Sequence, residues 1–310
     1  MASKSKSLKV LLIGGSGFVS GTLARTALTQ GHKVWVVTRG QKQLPAGVTG
    51  LAADRHDEKA FAQAVEAAGT HWDLVVDCIG YEPADVRQDV SVFRNRAAQF
   101  VFVSTDSVFD PAHRRFPQGE ETDHYMMDDG YGGKKRRCEL ELVNGDTGDM
   151  QWTVVRPCHI YGPGSLLGCL PLHARDAELI SRLRSGEALR LVGGGHFLQQ
   201  PIFARDLAEL VLSAAGNGKA YGQIFCTAGP DIIESRYYYQ IVADALGVGF
   251  RIEEVPVGQY RAEHPERASF LCHRIFSLEK VRSHGLKVPS TPIEQGLREH
   301  VESLPAEKEP

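Results

Sequence analysis

No apolar run in this 310-residue chain approaches the ~18 residues that suggest a membrane-spanning helix. Cysteine is sparse: Cys78, Cys138, Cys158, Cys169, Cys226 and Cys272 are scattered, with no C-x-x-C pair. Such thiols read as small buried hydrophobes in a reducing compartment, which points to a cytoplasmic protein. The twelve histidines never fall at H-x-x-x-H or H-E-x-x-H spacing, so no metal site is expected. A basic excess is missing too. Lys and Arg number 35 against 38 Asp and Glu, and a net charge of −3 argues against a dedicated nucleic-acid binder. There is no internal repeat or low-complexity linker. The opening Met-Ala-Ser-Lys-Ser-Lys-Ser lacks the apolar core of a secretory signal. It is expected as a loose tail, as is Pro-Ala-Glu-Lys-Glu-Pro at the other end.

What is present is ample core material, 42% of the residues being hydrophobic. In the first half, strand and helix patterns alternate. Strands are expected at 8–13, 33–38, 50–53, 74–77, 99–104 and 153–156, with helices at 17–30, 58–68, 83–95 and 131–143. That alternation predicts an α/β fold, a doubly wound parallel sheet covered on both faces. Gly162-Pro163-Gly164 breaks the rhythm. Beyond it, helices are expected within 175–185 and at 204–215, 235–246 and 292–304, and strands at 189–192, 222–226 and 251–255.

The first strand runs into Gly14-Gly15-Ser16-Gly17-Phe18-Val19-Ser20 and then a helix. A tight turn needs glycine here, because a Cβ would block a pyrophosphate from the amides of the helix N-terminus. Strand, Gly-rich turn and helix in that order predict a dinucleotide site of the Rossmann type. The second strand ends in Thr38-Arg39-Gly40, where an acidic residue would commonly hold the ribose hydroxyls of NAD. Arg39 can pair instead with a 2′-phosphate, so NADP is favoured slightly over NAD. Asp54 is a candidate for the adenine edge, and Cys78, Ile79 and Gly80, after the fourth strand, complete this part of the cofactor set. Residues 1–165 are thus expected as the dinucleotide-binding domain. Residues 166–310 are expected mostly as a smaller substrate-binding lobe, with about 197–230 returning to the first domain.

Tyr131 and Lys135 stand four apart and share a helix face. A free phenol is a poor base near neutral pH, with a pKa of about 10. A neighbouring ammonium would lower it, and the same Lys can hold ribose hydroxyls. Thr105, at the end of the fifth strand, supplies a hydroxyl at the sheet edge where ligands bind. Lys134, Arg136 and Arg137 read as a solvated face paired with Glu139 and Glu141.

Together these motifs resemble the extended short-chain dehydrogenase/reductase superfamily, the NAD-dependent epimerase/dehydratase group. The likeness spans about Lys9 to Leu304 and includes Val101-Phe102-Val103-Ser104-Thr105 and Val155-Arg156-Pro157-Cys158-His159-Ile160-Tyr161-Gly162-Pro163-Gly164. It implies that Thr105 and Tyr131 bond the reacting oxygen, that Lys135 orients the ribose, and that Pro157, Cys158 and His159 lie by the nicotinamide. Val37-Thr38-Arg39-Gly40, Ala53-Asp54-Arg55-His56-Asp57 and Ser277-Leu278-Glu279-Lys280-Val281 look like an atypical branch that includes the chloroplast stem-loop-binding proteins. That branch departs from the catalytic Tyr pattern, whereas this chain keeps Tyr131 and Lys135. Dehydratases of the group carry Asp-Glu after the Thr; here the run is Thr105-Asp106-Ser107. Where sugar-nucleotide members usually place an Arg, this chain has Gln199 or Gln200, so a diphosphate would lose a bidentate partner.

The expectation is hydride transfer at a secondary alcohol or ketone of a sugar-like substrate, as epimerase or ketoreductase, with Thr105, Asp106, Tyr131 and Gln199 meeting the substrate. The alternative is a non-catalytic nucleotide- or RNA-binding Rossmann protein. The resemblance also implies a possible homodimer through the helix that carries Tyr131 and the one before it.

Overall fold

The computed structural model describes residues 6–305. Most of the two expected tails, residues 1–5 and 306–310, lies outside them. Six strands form in chain order: β1 (Lys9–Ile13), β2 (Lys33–Thr38), β3 (Val48–Ala52), β4 (Leu74–Asp77), β5 (Gln99–Val103) and β6 (Gln151–Pro157). Four helices are interleaved: α1 (Phe18–Thr29), α2 (Glu58–Ala67), α3 (Pro83–Phe93) and α4 (Tyr131–Asn144). The β1 sequence KVLLI buries four residues in a row, as a strand covered on both faces must.

With the later strand Gln223–Thr227, these build a seven-stranded parallel sheet in the order Gln223–Thr227, β6, β5, β4, β1, β2, β3. The order reverses between β1 and β4, which opens a crevice at the carboxyl ends of the strands. Val10 and Leu12 of β1 face a core shared with Leu23 and Ala27 of α1 and with Leu207 and Val211 of the helix Ala204–Ser213. Leu11 and Ile13 face the opposite core, with Phe61 of α2, Phe93 of α3 and Leu142 of α4. The period-two alternation of a strand thus feeds both layers.

Apart from Gln223–Thr227, the strands beyond residue 160 are short and pair in twos. Leu189–Val192 runs parallel to Ile252–Val255, and Leu198–Gln199 runs antiparallel to Ile233–Glu234. A third apolar cluster joins Tyr161, Leu179, Tyr238, Tyr239 and Leu297. The helix expected within 175–185 forms at Leu179–Arg184. Arg175 takes φ +58°, and the Asp176 carboxylate accepts the Glu178 N–H at 2.9 Å, so the chain turns there before the helix starts. Among the described residues, no helix is long and apolar enough to cross a membrane.

Two sheet strands and α4 are joined by one buried carboxylate. Glu139 of α4 is fully buried and accepts Ser104 Oγ at 2.6 Å, Arg156 Nε at 2.9 Å and Nη2 at 2.7 Å, and Arg136 Nη1 at 2.8 Å. Burial alone would raise its pKa, but the Arg156 charge and these hydrogen bonds override it and hold the carboxyl below its usual range. Removing one partner of such a pair leaves the other charge buried and unpaired. Glu139→Gln is therefore expected to destabilise the fold by about 3–5 kcal/mol at neutral pH. Because the folded pKa is depressed, this stabilisation is complete above the ordinary glutamate value of about 4.3 and fades as pH falls through the folded value. Urea midpoints of wild type and variant should converge on acidification; a constant gap would contradict the assignment.

Candidate active site

The β1–α1 turn is built for close approach. Gly14 has φ +99°, and its N–H donates to the Val37 carbonyl at 3.0 Å. A Cβ at Gly14 would sit 2.6 Å from Ile79 Cγ2, and one at Gly15 would sit 2.4 Å from both Val36 methyls. Ser20, the third small residue, ties the turn: its Oγ donates to the Gly14 carbonyl at 2.7 Å and accepts the Gly17 N–H at 3.2 Å. Phe18 and Val19 open α1 partly buried, with Val19 packed on the core.

Above this turn lies a cavity of about 390 Å³. Gly14, Ser16, Gly17, Thr38, Arg39, Asp54, Ile79 and Tyr81 are among its walls. Gln41, Lys42 and His56, which pattern reading did not single out, line it too. The donor set fits a dinucleotide: helix N-terminal amides for a pyrophosphate and Arg39 with Lys42 near its far end. Asp54 lines the cavity but also accepts the His56 N–H at 3.0 Å, so it closes its own turn.

Arg55 turns away beneath the cavity. Its guanidinium is buried among three carboxylates, reaching Asp77 and Asp89 at 3.1 Å and Asp85 at 3.4 Å. Burial, with Asp77 alongside, pushes the Asp89 carboxyl well up against the pull of Arg55. Asp77 Oδ1 in turn accepts the N–H groups of Ile79 and Gly80, at 2.8 and 2.9 Å. This fixes the turn Cys78–Gly80, whose Gly80 carbonyl accepts Lys135 Nζ at 2.8 Å. Burial pushes the Cys78 thiol up, so it stays neutral.

Lys135 is buried and donates also to the Val103 carbonyl at 2.7 Å, with Nζ 4.1 Å from the centre of the Phe102 ring. Two of its three ammonium donors are thereby used. Loss of water lowers its pKa, against the pull of Asp77. One helical turn earlier, Tyr131 is half exposed, 6.3 Å from the Tyr81 ring centre. Desolvation of the phenol pushes its pKa up to about 12, opposed by the nearby Thr105 hydroxyl. The expectation that Lys135 lowers the phenol pKa is not met in this arrangement, because the ammonium is held by two backbone carbonyls and burial dominates.

Tyr131 opens on a second cavity, about 270 Å³, with Ser104, Thr105, Asp106, Pro157, Cys158, His159, Arg175 and Arg274. Tyr81 lines the first cavity and neighbours Tyr131 of the second, so the two adjoin. Pro157 ends β6, and Cys158 Sγ donates to the Gln200 carbonyl at 2.7 Å, which gives that thiol a structural bond. Burial, with Arg175 and Arg274 nearby, pushes His159 down to about 4, so it is neutral at physiological pH. Asp106 is taken up by Arg274 and Arg114.

The structure thus brings together Thr105, Asp106, Tyr131, Pro157, Cys158 and His159. Gln199 does not line the cavity: it is buried on its short strand, both amide atoms lacking a hydrogen-bond partner among the described residues, while its neighbours Leu198 and Gln200 accept bonds from the Arg274 N–H and Cys158 Sγ of the pocket wall. Arg175 and Arg274 were missed because no motif marks them and only the fold carries them to Tyr131. The phenol of the unliganded protein is expected to stay protonated up to about pH 12. A difference titration of tyrosine NMR signals between wild type and Tyr131→Phe checks this; ionisation near 10 would contradict it.

Known proteins place this geometry. A model of the family described as NAD dependent epimerase/dehydratase matches residues 10–226. The chain is 28% identical over 242 residues to the chloroplast stem-loop binding protein of 41 kDa b of Arabidopsis thaliana, covering 73% of this chain and 60% of that protein. It therefore spans less than two thirds of that relative's length. It is 28% identical over 270 residues to the 2′-dehydrokanamycin reductase of Streptomyces kanamyceticus, covering 86% and 74% of the two chains. In fold it is similar to the UDP-glucose 4-epimerase of Thermotoga maritima, with a TM-score of 0.76 at 19% identity over 96% and 98% of the chains. With its parallel Rossmann sheet and family match over most of its length, the chain belongs to the NAD dependent epimerase/dehydratase family of the extended short-chain dehydrogenase/reductase superfamily.

Proposed function

We propose that this protein is a ketoreductase or epimerase that acts on a secondary alcohol or ketone of a sugar-like substrate, with NADP favoured over NAD. The observation that carries the reading is the meeting of the Thr105 hydroxyl and the Tyr131 phenol at the mouth of a pocket beside the dinucleotide cavity. A bound nicotinamide supplies or accepts the hydride at the substrate carbon. Thr105 and Tyr131 hold the carbonyl oxygen, and a phenol that is protonated at neutral pH donates to that oxygen as hydride reaches the carbon. In the oxidising direction the alcohol proton passes to Tyr131 in the phenolate form that proton donation leaves. Lys135, one turn along α4, keeps one donor for a ribose hydroxyl. The similarity to a 2′-dehydrokanamycin reductase supports a sugar-like substrate without a nucleotide.

A stem-loop-binding function, suggested by the plant relative's name, is opposed by the net charge of −3.

Tyr131→Phe is expected to leave dinucleotide affinity nearly intact and to lower turnover of sugar-like ketones by about 10²–10⁴-fold. Unchanged turnover would refute the role. Arg39→Gln should weaken NADPH binding about tenfold and leave NADH binding nearly unchanged, read by nicotinamide fluorescence. Equal loss for both would remove the preference for NADP.

A further inference from the structure

The pocket beside Tyr131 holds more positive charge than its own residues neutralise. Asp106 is the single carboxylate among its lining side chains. Two guanidiniums already converge on that carboxylate, Arg274 of the pocket wall and Arg114 behind it. Arg274 is almost wholly buried, yet its Nε has no hydrogen-bond partner among the described residues. A buried donor left unpaired costs free energy and calls for an explanation.

Arg175 adds a third cation. It lines the same pocket and makes no ion pair or hydrogen bond among the described residues, although its charge is felt at Tyr81, Tyr131 and His159. Among the described residues it is the one non-glycine with a left-handed backbone, at φ +58°. A Cβ makes that conformation unfavourable, and residues held in it tend to cluster at ligand sites. Glycine would take the turn without strain, so the guanidinium is kept there against the preference of the backbone. His159 is neutral between these two arginines and can donate one hydrogen bond to an acceptor without adding charge.

We infer that the substrate carries an anionic group, a carboxylate or a phosphate, received by Arg175 and Arg274 in the pocket beside Tyr131. This rests on the pocket being the substrate's place, as proposed above. Arg175 and Arg274 line the same pocket as Thr105 and Tyr131, so an anion they receive lies on the substrate held there. An oxo-acid or a phosphorylated sugar meets that description. A neutral sugar leaves Arg175 without a partner.

The test is calorimetric titration of the full chain, saturated with dinucleotide so that the Gly14–Gly17 turn is occupied, with inorganic phosphate and with acetate at constant ionic strength. At least one anion should bind. Arg175→Gln should weaken it about tenfold or more without changing dinucleotide affinity, and Arg175→Lys should recover part of the loss. Arg175 is exposed, so both variants are expected to fold. Phosphate binding alone assigns a phosphorylated substrate, and acetate binding alone assigns a carboxylate. No binding of either anion, or equal binding by Arg175→Gln, overturns the inference. Anion binding that persists in a protein without any reductase or epimerase activity would leave the anion site standing and remove the catalytic reading instead.

Discussion

Glu139 and Arg156 meet where α4, β5 and β6 converge, and both are fully buried. A lone charge there would be costly, so the pair is stable only while its geometry is kept and its remaining donors and acceptors are used. Ser104, Arg136 and the Glu120 carbonyl complete it, the last accepting Arg156 Nη1 at 2.9 Å. The consequence is positional. Ser104 is the neighbour of Thr105, and Glu139 lies one turn beyond Lys135 and two beyond Tyr131. One bridge therefore sets the height of α4 against the sheet edge and brings phenol, ammonium and threonine hydroxyl to the same crevice.

A second buried cluster does similar work on the cofactor side. Arg55 gathers Asp77, Asp85 and Asp89, and Asp77 pins the turn Cys78–Gly80 through two backbone amides. Lys135 then donates to the Gly80 carbonyl, so the two clusters touch through one ammonium. Held by backbone on two sides, Lys135 cannot swing toward the phenol, and Tyr131 stays a weak acid suited to giving a proton. The two cavities meet at Tyr81 and Tyr131, so a change at one ring is felt by the other.

The legible part of this site lay in contiguous segments. Gly14 to Ser20 could be read because strand, turn and helix follow one another, and each glycine answers a local steric demand. Tyr131 and Lys135 could be read because a helix turns four residues into one face. Strand positions were close: β2 and β4 match their expected ends, and β3 starts two residues earlier than its apolar residues suggest. The helix expected within Arg175 to Ser185 forms at Leu179–Arg184, but its starting point is set by φ +58° at Arg175 and the Asp176 turn, which a pattern of apolar spacing does not show. Gln199 was read as a substrate contact by position in a motif; its short strand buries it next to residues bonded to the pocket wall, but it does not itself line the pocket.

The amino-acid sequence by itself determined the alternating parallel architecture, the dinucleotide turn and the Tyr131–Lys135 helix, because each depends on periodicity or sterics within a few residues. Only the tertiary structure decided the protonation state of the phenol, the burial of Arg55 under the cofactor cavity and the arrival of Arg175 and Arg274 beside Tyr131. Those depend on solvent exclusion and on contacts between residues as far apart as Asp106 and Arg274. Desolvation and long-range charge have no signature in local spacing, and they settle what the site can bind.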